Sequence, residues 1–307
     1  MQYSEVAFGS HGGTCQAWRY TAASTGDGKA PLQPCVVMAH GFGATRDASL
    51  APYAERLAAA GMHVLVFDYR HFGASGGEPR QLVSVRRQLQ DYAAAVEFAR
   101  ALSGVDPARI AVWGTSFSGG HALVTAATVP GVAAAVCQCP MMDGLAAVRC
   151  ILQYAGPGQL LRLTGHGLLD LARAPFGGAH YVPTVGAPGT LAVMSSPDAE
   201  AGYRALTPPG FRLEVAARIA LSVALYRPVR YADRVRCPVL VQVCEHDSVA
   251  PAEAAERTIE RLGPFGEARR YPIGHFEPYF GAHFERSVGD QLAFLRRHLR
   301  PGDLTTP

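Results

Sequence analysis

The sequence predicts an α/β fold in which a mostly parallel central sheet of about eight strands is flanked by helices. Three observations predict it. Short apolar runs alternate with helical periodicity through residues 1–140, the alternation stops between 141 and 235, and it resumes from 236 onward. Because parallel strands need a long crossover connection, usually a helix, this alternation indicates a parallel sheet. We therefore expect a core domain formed by residues 1–140 and 236–307, with residues 141–235 inserted after the sixth strand as a helical cap (lid).

The predicted strands are short apolar runs bounded by glycine, proline or polar residues. The first two are joined through a Gly-rich turn, which predicts an antiparallel hairpin at one edge of the sheet. A last short run precedes the C-terminal helix. In chain order these runs cover residues 3–8, 14–20, 34–39, 62–67, 110–114, 132–136, 238–243 and 268–271.

The predicted helices lie between these runs, where apolar residues recur every three or four positions. Asp47 is expected to cap a helix that passes through Leu50 and is closed by Gly61. Another helix begins after Ser116, and two more follow the last two strands. The second helix has its apolar face at Leu82, Val85, Leu89, Tyr92 and Val96.

The inserted segment is rich in glycine and proline, with apolar stretches of helical type between them. In its last stretch, residues 211–225, apolar side chains form two lines, which predicts a helix that is apolar on two faces. Such a helix fits between the core and a ligand cavity. An ordinary buried helix is an equally good interpretation.

Composition excludes several classes of function. The formal net charge of +3 comes from 28 basic and 25 acidic residues without long charged runs, which argues against nucleic acid as the main partner. The N-terminus lacks a signal-peptide pattern, and no apolar run is long enough to span a membrane. Seven cysteines without the spacing of a disulfide scaffold favour a cytoplasmic location. Cys137 and Cys139 are expected to be buried thiols, and no metal or organic cofactor is expected.

The residues around Ser116 predict a sharp turn between a strand and a helix. The segment 114–120 reads Gly-Thr-Ser-Phe-Ser-Gly-Gly. Because so tight a turn strains its apex and leaves room only for small neighbours, Ser116 is expected to stand exposed as a nucleophile. A plain Gly/Ser connection is the alternative. The usual pattern is G-x-S-x-G, and Ser118, which replaces the last glycine, is expected to be tolerated because it is small.

A nucleophilic serine needs a base within hydrogen-bond reach and a carboxylate that orients the base. His275, in a loop after the last predicted strand, is the candidate base, and Asp247, just beyond a strand end, is the candidate acid. Glu245 and Asp143 are alternatives for the acid. The order serine, acid, histidine resembles the α/β-hydrolase superfamily, and the D-x-V-x-P pattern at 247–251 is typical of it. The resemblance covers almost the whole chain and implies the α/β-hydrolase fold.

The resemblance also implies an oxyanion hole. Residues 40–43, His-Gly-Phe-Gly, resemble the superfamily's loop after the third strand, so the backbone N–H groups of Phe42 and Phe117 are the expected donors. His40 is expected to brace this loop rather than act as a second base. Arg70 and His71 are candidates for contact with a substrate carboxylate, although solvent-exposed loop charges are the plainer interpretation.

A finer resemblance rests on segments 40–47, 68–80 and 114–120, which are similar to a bacterial group of capped hydrolases that includes monoalkyl phthalate ester hydrolases. It implies a serine esterase for small to medium, partly apolar carboxylic esters, including monoesters of aromatic diacids. A thioesterase or a biosynthetic acyl transferase shares the same transition state and is the nearest alternative. A non-catalytic ligand receptor on the same fold is an alternative of another class, and a homodimer is compatible with the sequence.

Overall fold

The computed structural model describes residues 3–23 and 31–299. Eight of its strands form one sheet in the spatial order β1-β2-β4-β3-β5-β6-β9-β10, and β7 and β8 form a separate two-stranded ribbon. The strands are β1 (Tyr3–Ser10), β2 (Gly13–Tyr20), β3 (Gln33–Ala39), β4 (His63–Phe67), β5 (Val105–Thr115), β6 (Val132–Gln138), β7 (Tyr181–Pro183), β8 (Glu214–Ala216), β9 (Val239–Cys244) and β10 (Gly266–Tyr271).

The sheet is parallel from β4 to β10 and antiparallel where β2 pairs with β1 and with β4. The predicted mostly parallel sheet of eight strands and the edge hairpin are therefore confirmed. The inner strands are apolar on both faces because helices cover both sides of the sheet. In β3, Val37 packs into the core on one side, whereas Val36 and Met38 pack into the core on the other.

The helices form a layer on each side of the sheet. Residues of α2, α3 and α6 pack in one core, and residues of α1 and α7 pack in the other. In chain order the helices are α1 (Ala51–Ala59), α2 (Val85–Arg100), α3 (Phe117–Thr128), α4 (Gly144–Arg173), α5 (Ala199–Leu206), α6 (Ala252–Leu262) and α7 (Gly281–Leu299). No helix in the described ranges is long and apolar enough to cross a membrane.

The start of α1 differs from the prediction. Leu50 occupies the N-cap, and Asp47 instead accepts a hydrogen bond of 3.4 Å from the Thr45 hydroxyl. Proline is tolerated only in the first turn of a helix because it lacks an N–H donor. Pro52 therefore requires a helix that begins just before it, several residues later than a cap at Asp47 would allow.

The segment between β6 and β9 contains α4, the β7–β8 ribbon, α5 and several short 3-10 helices. None of its described residues joins the main sheet. Helix α4 is kinked at Gly156, which has φ 72°, immediately before Pro157. The division of the chain into a core and a cap at residues 141 and 235 stays a prediction.

The single helix predicted over 211–225 is wrong. The segment forms β8, which pairs with β7 through Val182 and Val215, and continues as the 3-10 helices Ala217–Leu221 and Val223–Leu225. Its apolar residues stand at alternate positions, which is the period of a strand rather than of a helix. Pairing with β7 provides hydrogen-bond partners for backbone N–H and C=O groups of β8.

Candidate active site

Ser116 forms the whole connection between β5 and α3. Its backbone has φ 55° and ψ −119°, a strained conformation for a residue with a side chain. Only glycine fits at positions 114 and 119, because a side chain would collide with its neighbours. A Cβ on Gly114 would stand 1.8 Å from the Ser118 carbonyl oxygen, and one on Gly119 would stand 2.6 Å from Pro140 Cβ. The local sequence thus folds into the sharp turn that it predicts, with Ser116 half-buried at the apex.

Ser118 has a specific role in this turn. Its side chain is fully buried, lies 2.7 Å from the Tyr69 hydroxyl, and donates a short hydrogen bond to the His40 carbonyl oxygen. A glycine at this position has no side chain with which to make either contact. The departure from G-x-S-x-G therefore ties α3 to the loop that follows β3, a contact that the sequence pattern did not reveal.

The side chains of Ser116, His275 and Asp247 form one hydrogen-bonded chain. His275 Nε2 lies 3.0 Å from Ser116 Oγ, and His275 Nδ1 lies 2.6 Å from Asp247 Oδ2. The other Asp247 oxygen, Oδ1, accepts backbone N–H bonds from Val249 at 2.8 Å and Ala250 at 2.6 Å. The carboxylate is thus fixed on one side and points its second oxygen at the imidazole.

The two alternative acids lie elsewhere. Asp143 caps α4 by accepting from the Leu145 N–H at 3.0 Å, and it forms an ion pair of 2.7 Å with Arg227. Glu245 is exposed. Within the described part of the chain, neither carboxylate contacts His275.

The environment of His275 stabilises its charged form. The imidazole is 4% exposed, and this burial acts to lower its pKa. The Asp247 carboxylate, with smaller contributions from Cys139 and then Asp198, outweighs burial and raises the pKa of His275 to about 9. An imidazolium that forms beside Ser116 is therefore stabilised by its partner carboxylate.

The loop after β3 lies directly against Ser116. A Cβ built on Gly41 would stand 3.3 Å from Ser116 Cβ, and the rings of Phe42 and Phe117 meet edge to face with centroids 5.4 Å apart. The N–H groups of Phe42 and Phe117 donate no hydrogen bond to any described residue. Two unused donors therefore flank the serine.

His40 occupies a buried position beneath this loop. Its Nδ1 lies 3.0 Å from the Gly41 carbonyl oxygen, and its ring packs on Tyr69 with centroids 5.0 Å apart. Burial lowers the pKa of His40 to about 4, so the side chain is neutral at physiological pH. It contacts the loop and not the Ser116 hydroxyl.

Two small cavities open on either side of Ser116, and both are also lined by Phe42 and Met194. The first, of about 30 Å³, is lined by His275, Tyr279 and other residues. The second, of about 70 Å³, is not lined by His275 in the described part of the chain; its lining is largely apolar and includes Ala147, Val148 and Ile151 of α4. Among the residues that the structure describes, no Lys, Arg, Asp or Glu side chain lines either cavity.

The turn that carries Asp247 is bonded to the inserted segment. The Ser248 hydroxyl donates to Asp198 Oδ1 at 2.5 Å and lies 3.0 Å from the Ser196 hydroxyl, which itself donates to Asp198 Oδ1 at 2.9 Å. Asp198 stands at the N-cap of α5. These three side chains, which we call the clasp, connect the segment between β6 and β9 to the loop after β9. Sequence reasoning missed the clasp because no local pattern marks it.

The structure does not bring Arg70 and His71 to Ser116. Arg70 is buried, and its Nε donates to Asp91 Oδ1 at 2.5 Å. His71 Nδ1 lies 3.0 Å from the Pro79 carbonyl oxygen, and Nε2 accepts from Arg87 at 2.7 Å. Because both side chains are already bonded and neither lines a cavity beside the serine, the prediction that they contact a substrate carboxylate is wrong.

All seven cysteines are free thiols, and Cys137 and Cys139 are buried as predicted. Burial raises the pKa of Cys137 above its usual value. In the described ranges no group of three or more His, Cys, Asp and Glu side chains is arranged to hold a metal ion.

A serine at a strand–turn–helix apex, hydrogen-bonded to a histidine that a carboxylate orients, on an eight-stranded and mostly parallel sheet, defines the serine hydrolases of the α/β-hydrolase fold. The chain belongs to this superfamily: its residues 30–273 match the family model Hydrolase_4, described as serine aminopeptidase, S33. This membership makes it a hydrolase or acyl-transfer enzyme by class.

Individual relatives extend along nearly the whole chain. The quorum-quenching protein AidA of Acinetobacter baumannii (strain MDR-ZJ06) is 42% identical over 95% of this chain and 94% of its own length. The polyketide transferase grgF of a Penicillium species is 28% identical over 96% of this chain and 97% of its own length. The crystal structure of α/β hydrolase GrgF from Penicillium sp. sh18 superimposes with a TM-score of 0.81 and 25% identity, covering 98% of this chain and 100% of that one.

Proposed function

We propose that this protein is a serine hydrolase that cleaves neutral carboxylic esters, of small to medium size and partly apolar, through an acyl-enzyme intermediate. The observation that carries the proposal is the continuous chain of hydrogen bonds from Asp247 through His275 to Ser116 Oγ. A hydroxyl so placed has its base within reach, and the base has its orienting acid.

The proposed reaction uses each of these groups in turn. His275 Nε2 removes the proton from Ser116 Oγ as this oxygen attacks the ester carbonyl. The N–H groups of Phe42 and Phe117 stabilise the negative charge that develops on the carbonyl oxygen. The carbon–oxygen bond then breaks, and the imidazolium gives its proton to the leaving alcohol. Water attacks the acyl-enzyme by the same route and releases the acid.

We assign the leaving group and the acyl group of the substrate to different cavities. Because His275 must protonate the leaving group, this group belongs in the cavity of about 30 Å³ that His275 lines. The acyl group then occupies the apolar cavity of about 70 Å³. Since no described Lys or Arg side chain lines either cavity, a substrate carboxylate would be buried there without a basic partner from the described ranges, which disfavours monoesters of aromatic diacids.

Acyl transfer to a nucleophile other than water is the second candidate function. The largely apolar linings of the two cavities beside Ser116 favour it, because apolar surroundings hold water poorly beside the acyl-enzyme. The similarity to a polyketide transferase supports the same interpretation. The similarity to a quorum-quenching protein adds signal compounds of quorum sensing to the candidate substrates.

Labelling with a fluorophosphonate probe tests the nucleophile. We expect rapid labelling of the wild-type chain, none of Ser116→Ala, and full labelling of Ser103→Ala, which removes an exposed hydroxyl that forms no hydrogen bond with any described residue. Labelling that survives in Ser116→Ala would contradict the proposal. Absence of labelling in all three proteins, together with tight binding of an ester, would favour a ligand receptor.

A panel of p-nitrophenyl esters and acyl thioesters of graded chain length then tests the substrate class. Adding alcohol or amine acceptors separates hydrolysis from transfer, because a transferase forms the acylated acceptor faster than the free acid. A cytoplasmic location is proposed from the sequence alone, and a homodimer is compatible with the sequence.

A further inference from the structure

A third cavity lies away from Ser116 and has no lining residue in common with the two cavities beside it. Its volume is about 890 Å³. The beginning of α2, the end of α3 and the 3-10 helices within 217–225 form its walls. A concave site of this size falls within the range of small-molecule pockets, roughly 300–1,000 Å³.

The walls of this cavity are mainly apolar. Leu82, Val85, Leu89 and Ala93 contribute from the α2 side, and Ile219 contributes from the opposite side. Leu225, at the edge, is 79% exposed. An aliphatic chain laid against these side chains would remove apolar surface from water, which is favourable in proportion to the area covered.

The charged residues of the lining are all basic. Arg86, Arg87 and Arg218 line the cavity, and no Asp or Glu of residues 3–23 and 31–299 does. Arg218 is compensated, because it forms two hydrogen bonds of 2.7 and 2.8 Å with Asp170. Arg86 makes no ion pair or hydrogen bond with any residue that the structure describes.

The charge of Arg87 is also uncompensated. Its Nη1 donates to His71 Nε2 at 2.7 Å, and burial, together with Arg87 itself, lowers the pKa of His71 to about 4. The histidine is therefore neutral at pH 7 and accepts the hydrogen bond without cancelling the positive charge. Arg86 and Arg87 thus place two exposed guanidinium groups beside an apolar wall, and neither has an acidic partner among the described residues.

We propose that this cavity is a binding site for an aliphatic carboxylate: a small amphiphilic anion whose carboxylate pairs with Arg86 and Arg87 and whose chain covers the apolar wall. Guanidinium groups bind carboxylates through charge-assisted and often bidentate hydrogen bonds. The volume of about 890 Å³ suits a small molecule, whereas a protein partner would require a broader contact surface. The inference is independent of the proposed activity.

Calorimetric titration of the full-length chain at pH 7 tests the proposal with three probes. Decanoate has both the charge and the chain, decanol has the chain alone, and acetate has the charge alone. We expect decanoate to bind about tenfold or more tightly than either of the others, with an affinity that falls as salt is added. Equal affinity for decanol and decanoate, or no binding of decanoate, would overturn the proposal.

Variants locate the bound probe. The double variant Arg86→Ala, Arg87→Ala is expected to lose about tenfold or more in affinity for decanoate, and Arg86→Lys, Arg87→Lys to recover part of it. The matched control is Arg257→Ala on α6, an exposed arginine outside the cavity. A loss of affinity that is equal in the control would contradict the assignment.

Cavity-filling variants exclude binding beside Ser116. Ala93→Trp fills the third cavity without altering its charge, whereas Ala147→Trp fills the acyl cavity. We expect only Ala93→Trp to abolish binding of decanoate. Binding that is lost only in Ala147→Trp, or tight binding of an acidic peptide in place of decanoate, would refute the proposed site, whether or not Ser116 proves reactive.

Discussion

Replacement of Ser118 by alanine tests the link between α3 and the loop after β3. The change removes the hydroxyl that bonds the Tyr69 hydroxyl and the His40 carbonyl oxygen, and all of these groups are buried. A buried polar group left without a partner costs about 1–3 kcal/mol. With two groups affected, we expect Ser118→Ala to lower the free energy of unfolding by about 2–5 kcal/mol.

Ser118→Gly restores the usual G-x-S-x-G pattern and is nevertheless expected to be destabilised at least as much, because glycine also costs conformational entropy in a helix. Tyr69→Phe is the matched variant. It leaves the bond from Ser118 to His40 in place and should cost about 1 kcal/mol. The double variant Ser118→Ala, Tyr69→Phe removes both partners together, so its cost should be smaller than the sum of the single costs.

Urea unfolding at pH 7 measures these differences, and steady-state ester hydrolysis gives a second readout. Because the amide of Phe42 lies two residues beyond His40, we also expect Ser118→Ala to lower kcat by about tenfold with little change in KM. Wild-type stability of both Ser118 variants, or strictly additive effects in the double variant, would refute the role assigned to this hydroxyl.

Three further results are expected. Because the pKa of His275 is raised to about 9 and a base must be unprotonated, kcat/KM should rise with pH and level off above about pH 9. Asp247→Asn should lower this apparent pKa and lower kcat by about 10⁴-fold. A wild-type profile that is flat from pH 6 to 9 would contradict this expectation. Arg70→Ala should leave KM for a neutral ester unchanged but lower the free energy of chemical unfolding by about 3–5 kcal/mol, since the buried Asp91 loses its ion-pair partner. A raised KM with normal stability would instead place Arg70 in the substrate site. Ala147→Phe should shorten the longest acyl chain accepted while leaving acetate esters unaffected, and unchanged chain-length selectivity would remove this cavity from the acyl side.

Most of the fold could be predicted because its signals are local. The fully buried runs of β4 and β9 and the three- and four-residue spacing along α2 follow directly from helices covering both sides of a parallel sheet. The segment 211–225 could not be assigned correctly because β8 depends on pairing with β7, some thirty residues earlier in the chain. The start of α1 differs from the prediction because Pro52, rather than the possible cap Asp47, determines where the helix begins.

The site residues, too, could be predicted only where a local pattern or the order of the motifs indicates their position. Ser116, Asp247 and His275 each follow a strand, and the carboxyl ends of parallel strands meet at one edge of the sheet, so the order of the motifs was enough to bring them together. The contacts of Ser118 and Arg70 could not be found in this way. Each depends on a partner from another element, and no spacing in the chain records which partner that is.

The clasp between Asp198 and Ser248 has a mechanical consequence. Because Ser248 directly follows Asp247, a movement of α5 away from the sheet must either break these hydrogen bonds or pull the acid-bearing turn with it. A displaced α5 would therefore loosen the support of the Asp247 carboxylate and, through it, of the His275 imidazole, and its return would restore that support.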